Sequence, residues 1–230
     1  MVHKIDVRGV LIPNDYKWFY NWLDMDSTCP KDIQNVLDGM ASGDEVEVYI
    51  NSPGGVIDVG SEIYMLLRTQ QNVKIFVLGE ACSAASIVAM AGYCEMAPTA
   101  LMMVHCVQSG ARGNHAALEH TATVLRTADD ALSNAYIAKT GMSKEEALEM
   151  MEAETWLTAE QAKARGLIDA VMFEEEPEPM PMVAGPLFKL PSEEQLNKAR
   201  EMMKGSAPKA DADFLLQKKL DLLNLKGERI

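Results

Sequence analysis

The clearest hydrophobic pattern of the chain lies between residues 46 and 79. Residues 46–50 (VEVYI) alternate apolar and polar side chains, which predicts a strand, and the NSPGG after them predicts a tight turn. Apolar residues then recur at three- and four-residue steps over 56–69, which predicts a helix with one buried face. A further strand, VKIFVLG, ends at Gly79.

The alternation of strand and helix continues along the chain. Small residues over 84–92 predict a helix, residues 101–104 (LMMV) a short strand, and residues 114–140 a long helix. Strands that alternate with helices predict crossover units on a mostly parallel sheet. The predicted fold class is therefore α/β.

Two further helix starts have the spacing of a capping box, in which two residues three positions apart serve each other's backbone N–H groups. The pairs are Ser143 with Glu146 and Thr158 with Gln161. Gly166 is placed to end the second of these helices. The sequence LIDAV that follows predicts a last strand.

Composition divides the chain into three parts. Residues 1–173 carry the alternating pattern, whereas residues 174–191 are rich in Glu, Pro, Met and Gly without periodicity, as in a linker. Residues 192–230 begin with a helix start at Ser192 and hold an amphipathic stripe over 213–225. This tail is too short to form a core of its own, so it either docks on something or stays mobile.

Charge and composition exclude several classes of protein. The formal net charge of -13 argues against nucleic acid and anionic membrane as partners, because both are met by clustered Lys and Arg. No run approaches the roughly 18 apolar residues of a membrane span. The first residues lack a secretory signal and the four cysteines lack CxxC spacing, so a soluble protein of the cytoplasm is expected.

Candidate chemistry lies where predicted parallel strands end, since open α/β sheets place their sites there. Ser83 in GEACSAAS lies at a strand-to-helix corner among alanines, which suits an exposed nucleophile, although the GxSxG signature is absent. His105 ends the strand at 101–104, within reach as a general base. The NSPGG amides offer donors for an oxyanion. A helix-capping serine and a structural histidine are the alternatives.

Structural roles are expected for the remaining reactive side chains. The spacing of His115 and His120 puts them on different helix faces and matches no zinc motif, so no metal or other cofactor is expected. Cys82 and Cys106 adjoin the proposed catalytic pair, and packed small residues are expected there rather than second nucleophiles.

Four stretches resemble, in order and spacing, signature blocks of the Clp protease proteolytic subunit family: YINSPGGVIDVGSEIYMLL, GEACSAAS, MMVHC and TWLTAEQAKARGLID. The resemblance covers residues 5–173. It implies a ClpP- and crotonase-like spiral of ββα units with a protruding handle helix at 114–140. It also implies a cofactor-free serine endopeptidase that assembles as a homo-oligomer, in rings of seven or double rings.

The family's catalytic residues can be carried over by position. Ser83 matches the nucleophile and His105 the general base, while the amides of Gly55 and Ala84 match the oxyanion hole. Glu154 aligns with the third member of the triad, which is an aspartate in the family.

A glutamate can also accept the imidazole N–H, but its longer side chain requires a different approach. Glu152 and Asp169 compete with Glu154 for this role. Peptide contacts are implied at four further positions, Gly54, Gly110, Ala111 and Arg112. The last three belong to VQSGARGN, which resembles the strand that lies along the substrate in the family.

Three features set the chain apart from the housekeeping members of the family: a short N-terminal segment, ETW in the triad block, and an acidic, proline-rich tail. They resemble the Clp-related head-maturation proteases of bacteriophages and prophages, whose implied substrates are scaffold and capsid subunits. A general turnover enzyme partnered by an ATP-driven unfoldase is the alternative. A crotonase-like CoA-thioester enzyme and a non-cleaving assembly protein stay open from other classes.

Overall fold

A computed structural model describes residues 1–174 and 192–204 of the chain. Its strands are β1 (Val2–Leu11), β2 (Ser27–Thr28), β3 (Glu45–Gly55), β4 (Val73–Cys82), β5 (Tyr93–Met96), β6 (Leu101–Val104), β7 (Thr155–Leu157) and β8 (Ala170–Val171). Its helices are α1 (Lys17–Trp22), α2 (Pro30–Leu37), α3 (Ile57–Arg68), α4 (Ala84–Ala89), α5 (His115–Thr140), α6 (Lys144–Glu152), α7 (Ala159–Ala164) and α8 (Glu193–Lys204). A short 3-10 helix, Asn14–Tyr16, precedes α1.

The strands form one sheet in the order β2-β1-β3-β4-β5-β8, with β6 paired to β4 and β7 paired to β6. Every pair is parallel except β6 with β7. Parallel neighbours separated by helices confirm the predicted α/β class. The handle role of α5 and assembly into rings stay predictions.

One face of the sheet carries the core. Side chains of a strand alternate between faces, and in β3 the fully buried apolar side chains are Val46, Val48 and Ile50. Helix α3 covers this face through its buried Ile63 and Leu67. Helices α3 and α4 also contact each other, which brings the start of α4 over the end of β3. The small residues of α4 allow that close packing.

Most of the predicted elements are confirmed. The helices predicted over 56–69 and 114–140 and the strand over 101–104 match α3, α5 and β6 to within one residue. The helix predicted over 84–92 ends earlier, at Ala89. The last predicted strand, LIDAV, is reduced to the two residues of β8.

The tight turn predicted at NSPGG is wrong, because β3 runs on to Gly55. The extension pairs with the end of β1, Val10 opposite Gly54 and Leu11 opposite Gly55, after an irregularity in the ladder. The local sequence around these glycines indicates a turn. In the structure, the partner strand β1 supplies the hydrogen bonds that hold the chain extended. NSPGG is therefore the carboxyl end of a strand.

Both predicted capping boxes are confirmed. The Ser143 hydroxyl accepts from the Glu146 N–H at 3.1 Å, while the Glu146 carboxylate accepts from the Ser143 N–H at 2.8 Å. Thr158 and Gln161 exchange the same two bonds at 3.3 and 3.0 Å. Gly166 follows α7 with a φ of +74°, a left-handed conformation that favours glycine.

The chain divides into two compact units, Met1–Glu175 and Glu176–Ile230. In the second unit α8 is described, and the Ser192 hydroxyl accepts from the Gln195 N–H at 3.3 Å, as expected of a helix start. The predicted linker from residue 175 onwards and the stripe at 213–225 lie outside the described residues, so the three-part division stays a prediction. No helix within the described ranges is long and apolar enough to cross a membrane.

Helix α3 offers a matched pair of substitutions for testing the core. Ile63 is 0% exposed and Met65 is 52% exposed. Ile63→Ala is expected to lower the free energy of unfolding by about 2–4 kcal/mol, because it leaves a cavity in the core. Met65→Ala is expected to change it by about 0.5 kcal/mol or less. Urea unfolding of both variants measures the difference, and equal losses would contradict this packing of α3.

Candidate active site

Ser83 lies at the sharp corner between β4 and α4. Its φ of 53° and ψ of -126° are unusual for a residue with a side chain. The corner is held by its backbone, since the Ser83 N–H donates to the Met103 carbonyl at 2.8 Å. The surrounding structure therefore stabilises a strained turn that presents the Ser83 hydroxyl at the end of the strand.

Glycines let neighbouring backbone come close to this corner. A Cβ on Gly54 would lie 2.5 Å from the Cys82 carbonyl oxygen and 2.8 Å from the Ser83 Cβ. Its φ of +95° disfavours a side chain as well. A Cβ on Gly60 of α3 would lie 2.9 Å from the Ala84 Cβ. The end of β3 and the first turn of α3 thus pack directly against the Ser83 corner.

His105 follows β6 directly and lies beside Ser83. Strands β4 and β6 are parallel neighbours with Cys82 opposite Met103, so the residues that follow each strand emerge at the same edge. The His105 Nε2 is 2.7 Å from the Ser83 Oγ, a short hydrogen bond. The structure thus brings together the two residues that are predicted from the sequence as nucleophile and base.

A buried hydroxyl pair supports the corner from below. The Ser86 hydroxyl donates to the Ser83 carbonyl at 2.6 Å and lies 2.8 Å from the Tyr136 hydroxyl. Because a serine hydroxyl has one proton, the Tyr136 hydroxyl is the donor in the second bond. Tyr136 belongs to α5, and its burial raises the pKa of its phenol. This chain of bonds ties the long helix to the Ser83 backbone.

The loop after His105 is fixed at two successive residues. The Cys106 N–H donates to the Met151 carbonyl at 3.1 Å. The Val107 N–H donates to the Asp129 carboxylate at 2.7 Å, and Asp129 is a buried residue of α5. A charge-assisted bond of this kind is stronger than one between neutral groups. The path of the chain beyond His105 is therefore set by α5 and α6.

Ser83 and His105 open into a cavity of ≈ 220 Å³. Gly55 and Ala84, whose amides are the predicted oxyanion donors, line the same cavity. Much of the remaining wall is apolar and comes from four helices and one loop: Ile57, Ile87, Val107, Leu132, Tyr136 and Met151. The cavity therefore combines the Ser83 hydroxyl, the His105 imidazole and an apolar recess.

The structure does not join Glu154 to His105. Glu154 has a φ of 47°, and its carboxylate accepts from the Trp156 indole N–H at 3.4 Å. Of the two competitors, Asp169 is bound to the Cys94 N–H and to Lys139. Among the described residues no hydrogen bond links a carboxylate to His105. The sequence-based assignment of the third triad member therefore stays a prediction.

The Nδ1 atom of His105 has a different neighbour, the side-chain amide of Gln108. The amide nitrogen is 3.3 Å from Nδ1, on the opposite side of the ring from Ser83. The other competitor, Glu152, acts on Cys106, where its charge contributes to raising the thiol pKa. Gln108 thus occupies the position in which a triad carboxylate would receive the imidazole N–H.

The predicted peptide contacts at Gly110, Ala111 and Arg112 lie on an exposed stretch without helix or strand. None of the three lines the cavity. An extended segment forms a ladder only with a paired neighbour, so its use as an edge for substrate stays a prediction.

The cysteines beside the site are held as thiols. Burial raises the pKa of Cys82 to about 12, with a further contribution from Glu80. Burial also raises the pKa of Cys106 to about 11, and the Asp129 carboxylate adds to the effect. A thiol is a weak nucleophile in its protonated form. Both positions therefore favour the packing role expected from the sequence.

His115 is the first residue of α5, and His120 is exposed on the same helix. Within residues 1–174 and 192–204, no group of three or more His, Cys, Asp or Glu side chains is arranged to hold a metal ion.

Sequence reasoning missed four residues that support the site: Ser86, Gln108, Asp129 and Tyr136. Asp129 did carry a signal, because it shares a helical stripe with Leu132 and Tyr136, and a carboxylate on an apolar stripe is unusual. Ser86 and Gln108 carry none, since short polar residues near a strand end are common in any sequence.

Comparison with known protein families finds a match over this region. A family model described as Clp protease matches residues 31–175. The match includes the two glycines that end β3, the Ser83 corner, His105 and the block that holds Glu154, and it spans more than half of the chain.

Alkylation of Cys106 tests the electrostatics of the site. With a pKa of about 11 in place of about 9, its thiolate is about 100-fold scarcer near pH 8 than that of an ordinary cysteine. We expect slow reaction with iodoacetamide at pH 8 and a rate that rises about tenfold per pH unit up to about pH 11. Site-resolved mass spectrometry measures the rate, and Cys106→Ser identifies the signal. Rapid alkylation near pH 7 would make Cys106 a candidate nucleophile.

Proposed function

Because the chain belongs to the Clp protease family, we propose that it is a serine endopeptidase with Ser83 as nucleophile and His105 as general base. The observation that carries the proposal is the 2.7 Å contact between the His105 Nε2 and the Ser83 Oγ at a strained strand-to-helix corner. A strained corner of this kind is typical of nucleophiles presented at a sheet edge.

The chemistry divides between these two side chains and the backbone. The Ser83 Oγ attacks the peptide carbonyl while its proton passes to the His105 Nε2. We propose that the N–H groups of Gly55 and Ala84, two residues that line the cavity, stabilise the oxyanion of the tetrahedral intermediate. His105 then gives its proton to the leaving amine, and water attacks the acyl-enzyme by the same route in reverse.

The apolar part of the cavity wall suits the side chain that precedes the cleaved bond. Ile87, Leu132 and Met151 offer it a recess without a charged group. Glu154 remains the carboxylate that the family pattern assigns to the third position of the triad, and the reaction as written needs only that the His105 Nδ1 carries a proton.

Two substitutions and a covalent probe test the proposed pair. Ser83→Ala and His105→Ala are each expected to lower kcat for an unstructured peptide by about 10³-fold or more, because a triad loses its function when either member is removed. His3→Ala is the matched control, since this histidine of β1 lies outside both the cavity and α5, and its activity should equal that of the wild type. Peptide cleavage measured by mass spectrometry gives the rates.

A covalent probe of the serine distinguishes a serine peptidase from a crotonase-like enzyme and from an assembly protein. A fluorophosphonate should label Ser83 in the wild type and not in Ser83→Ala. A protein that neither labels nor cleaves peptides, but turns over a CoA thioester, would be a crotonase-like enzyme. A protein with no activity of either kind would be an assembly protein.

Capsid maturation in a tailed bacteriophage or prophage is the setting that we propose for this peptidase. Support comes from the ETW sequence at Glu154 and from the acidic, proline-rich composition after residue 174. The proposed substrates are scaffold and capsid subunits, and the proposed active form is a homo-oligomeric ring in the host cytoplasm or the assembling head. An unfoldase is not needed there, because scaffold segments reach the site without being pulled apart.

Dependence on ATP distinguishes this setting from general protein turnover. We expect the purified protein to cleave an unstructured peptide and a scaffold-like helical protein at rates that ATP and a bacterial unfoldase leave unchanged. The oligomeric mass, measured with and without residues 174–230, gives the ring size in the same preparation. Degradation of a stably folded substrate only when unfoldase and ATP are both present would establish the turnover role instead.

A further inference from the structure

We propose that Gln108 is the residue that positions His105, with its side-chain amide taking the place of the triad carboxylate at Nδ1. The inference rests on the proposed function, because it concerns the base of that reaction. Gln108 would act on the histidine and not on the substrate, so it is a positioning residue.

The geometry places His105 between two side chains. Its Nε2 is 2.7 Å from the Ser83 Oγ, and its Nδ1 is 3.3 Å from the Gln108 amide nitrogen. Both ring nitrogens therefore have a neutral partner, and the ring is held from two sides.

The chemistry requires an acceptor at Nδ1. The Nε2 can take the Ser83 proton only when it carries none itself, so the proton of the neutral ring must be on Nδ1. A carboxamide has an acceptor at one end and a donor at the other, and a half-turn about its Cγ–Cδ bond exchanges them. With its oxygen towards the ring, Gln108 accepts the Nδ1 proton and leaves Nε2 free to act as base.

The same side chain also stabilises the opposite tautomer. With the amide nitrogen towards the ring, Gln108 donates to Nδ1, and Nε2 then holds the proton and donates to Ser83. That arrangement is a resting state in which the nucleophile is not activated. An asparagine amide serves a histidine in the Cys-His-Asn arrangement of papain-like proteases, so an amide is chemically sufficient for this role.

The charged groups around His105 are engaged elsewhere. Asp129 of α5 accepts from the Val107 N–H, and Glu154, just before β7, accepts from the Trp156 indole. Glu80 of β4 bonds to the Cys82 thiol at 3.5 Å. Glu152 at the end of α6 contributes to the charge felt by Cys106. Within the described part of the chain, these carboxylates leave the Nδ1 side of the ring to Gln108.

The chain that leads to Gln108 is anchored on the side of His105. The two residues before it are fixed by the bonds of the Cys106 N–H to the Met151 carbonyl and of the Val107 N–H to Asp129. A short, anchored loop of this kind limits the entropy lost when the amide orients the ring.

Two substitutions at Gln108 test the inference through kcat, KM and their pH dependence. Gln108→Leu removes the acceptor at nearly constant volume and should lower kcat by about 10- to 100-fold with little change in KM, since water replaces the amide of this exposed residue only partly. Gln108→Glu restores an acceptor and should recover much of the rate. Gln71→Leu, an exposed glutamine outside the cavity, is the control and should behave as the wild type.

The pH profile separates positioning from packing. A carboxylate beside Nδ1 stabilises the imidazolium, so the neutral base forms only at higher pH. The acid limb of kcat/KM in Gln108→Glu should therefore move up by about one pH unit or more relative to the wild type. A structural role alone would leave that limb in place.

A readout without catalysis keeps this test independent of the proposed function. The chain has four histidines, so histidine-selective ¹⁵N NMR is practicable, and His105→Ala identifies the resonance. In an inactive Ser83→Ala background, Gln108→Glu should raise the pH at which His105 protonates, and Gln108→Leu should change the Nδ1–H to Nε2–H ratio. These shifts are expected even if the wild type cleaves no peptide.

Glu154→Gln tests the competing assignment, in which Glu154 is the third member of the triad. If its kcat falls about 10³-fold or more while Gln108→Leu stays within about threefold of the wild type and neither NMR shift occurs, Glu154 is the third member of the triad and the inference is wrong. Loss of activity in Gln108→Leu, rescue by Gln108→Glu and a moved acid limb support it.

Discussion

The parallel pairing of β4 with β6 is the constraint on which the rest of the site depends. Cys82 lies opposite Met103, and the Ser83 N–H bonds to the Met103 carbonyl, so the chain reaches Ser83 and His105 at the same sheet edge. A slip of one residue would turn one of the two side chains to the other face. The site therefore depends on this register, in which the buried Ala81 and Met102 lie opposite each other.

The site also requires that neighbouring backbone segments approach the Ser83 corner closely. A strained corner at Ser83 persists only if the elements around it leave no room to relax. Gly54 lets the end of β3 lie against the Cys82 carbonyl, and Gly60 lets α3 lie against Ala84. These glycines do not form turns. They allow a strand and a helix to pack tightly against the Ser83 corner.

The sequence predicted the parts of the molecule that are governed by local pattern. The helices at α3 and α5 and the capping boxes at Ser143 and Thr158 depend on residues within a few positions of one another, and they could be predicted. NSPGG could not, because its extended form depends on pairing with β1, about forty residues earlier. The partner of the His105 Nδ1 could not either, since Gln108 reaches it only after the loop is anchored by Asp129 from α5.

Helix α5 carries residues that support both Ser83 and His105. It carries Asp129, which anchors the loop after His105, and Tyr136, whose hydroxyl bonds to the Ser86 hydroxyl beneath Ser83. A displacement of α5 along its axis would strain both bonds at once, because they lie two turns apart on one rigid helix. We also propose this helix as the one through which copies would meet in a ring. Assembly and the geometry of the catalytic pair would then be governed by the same element, so a separated subunit would lose activity without losing its fold.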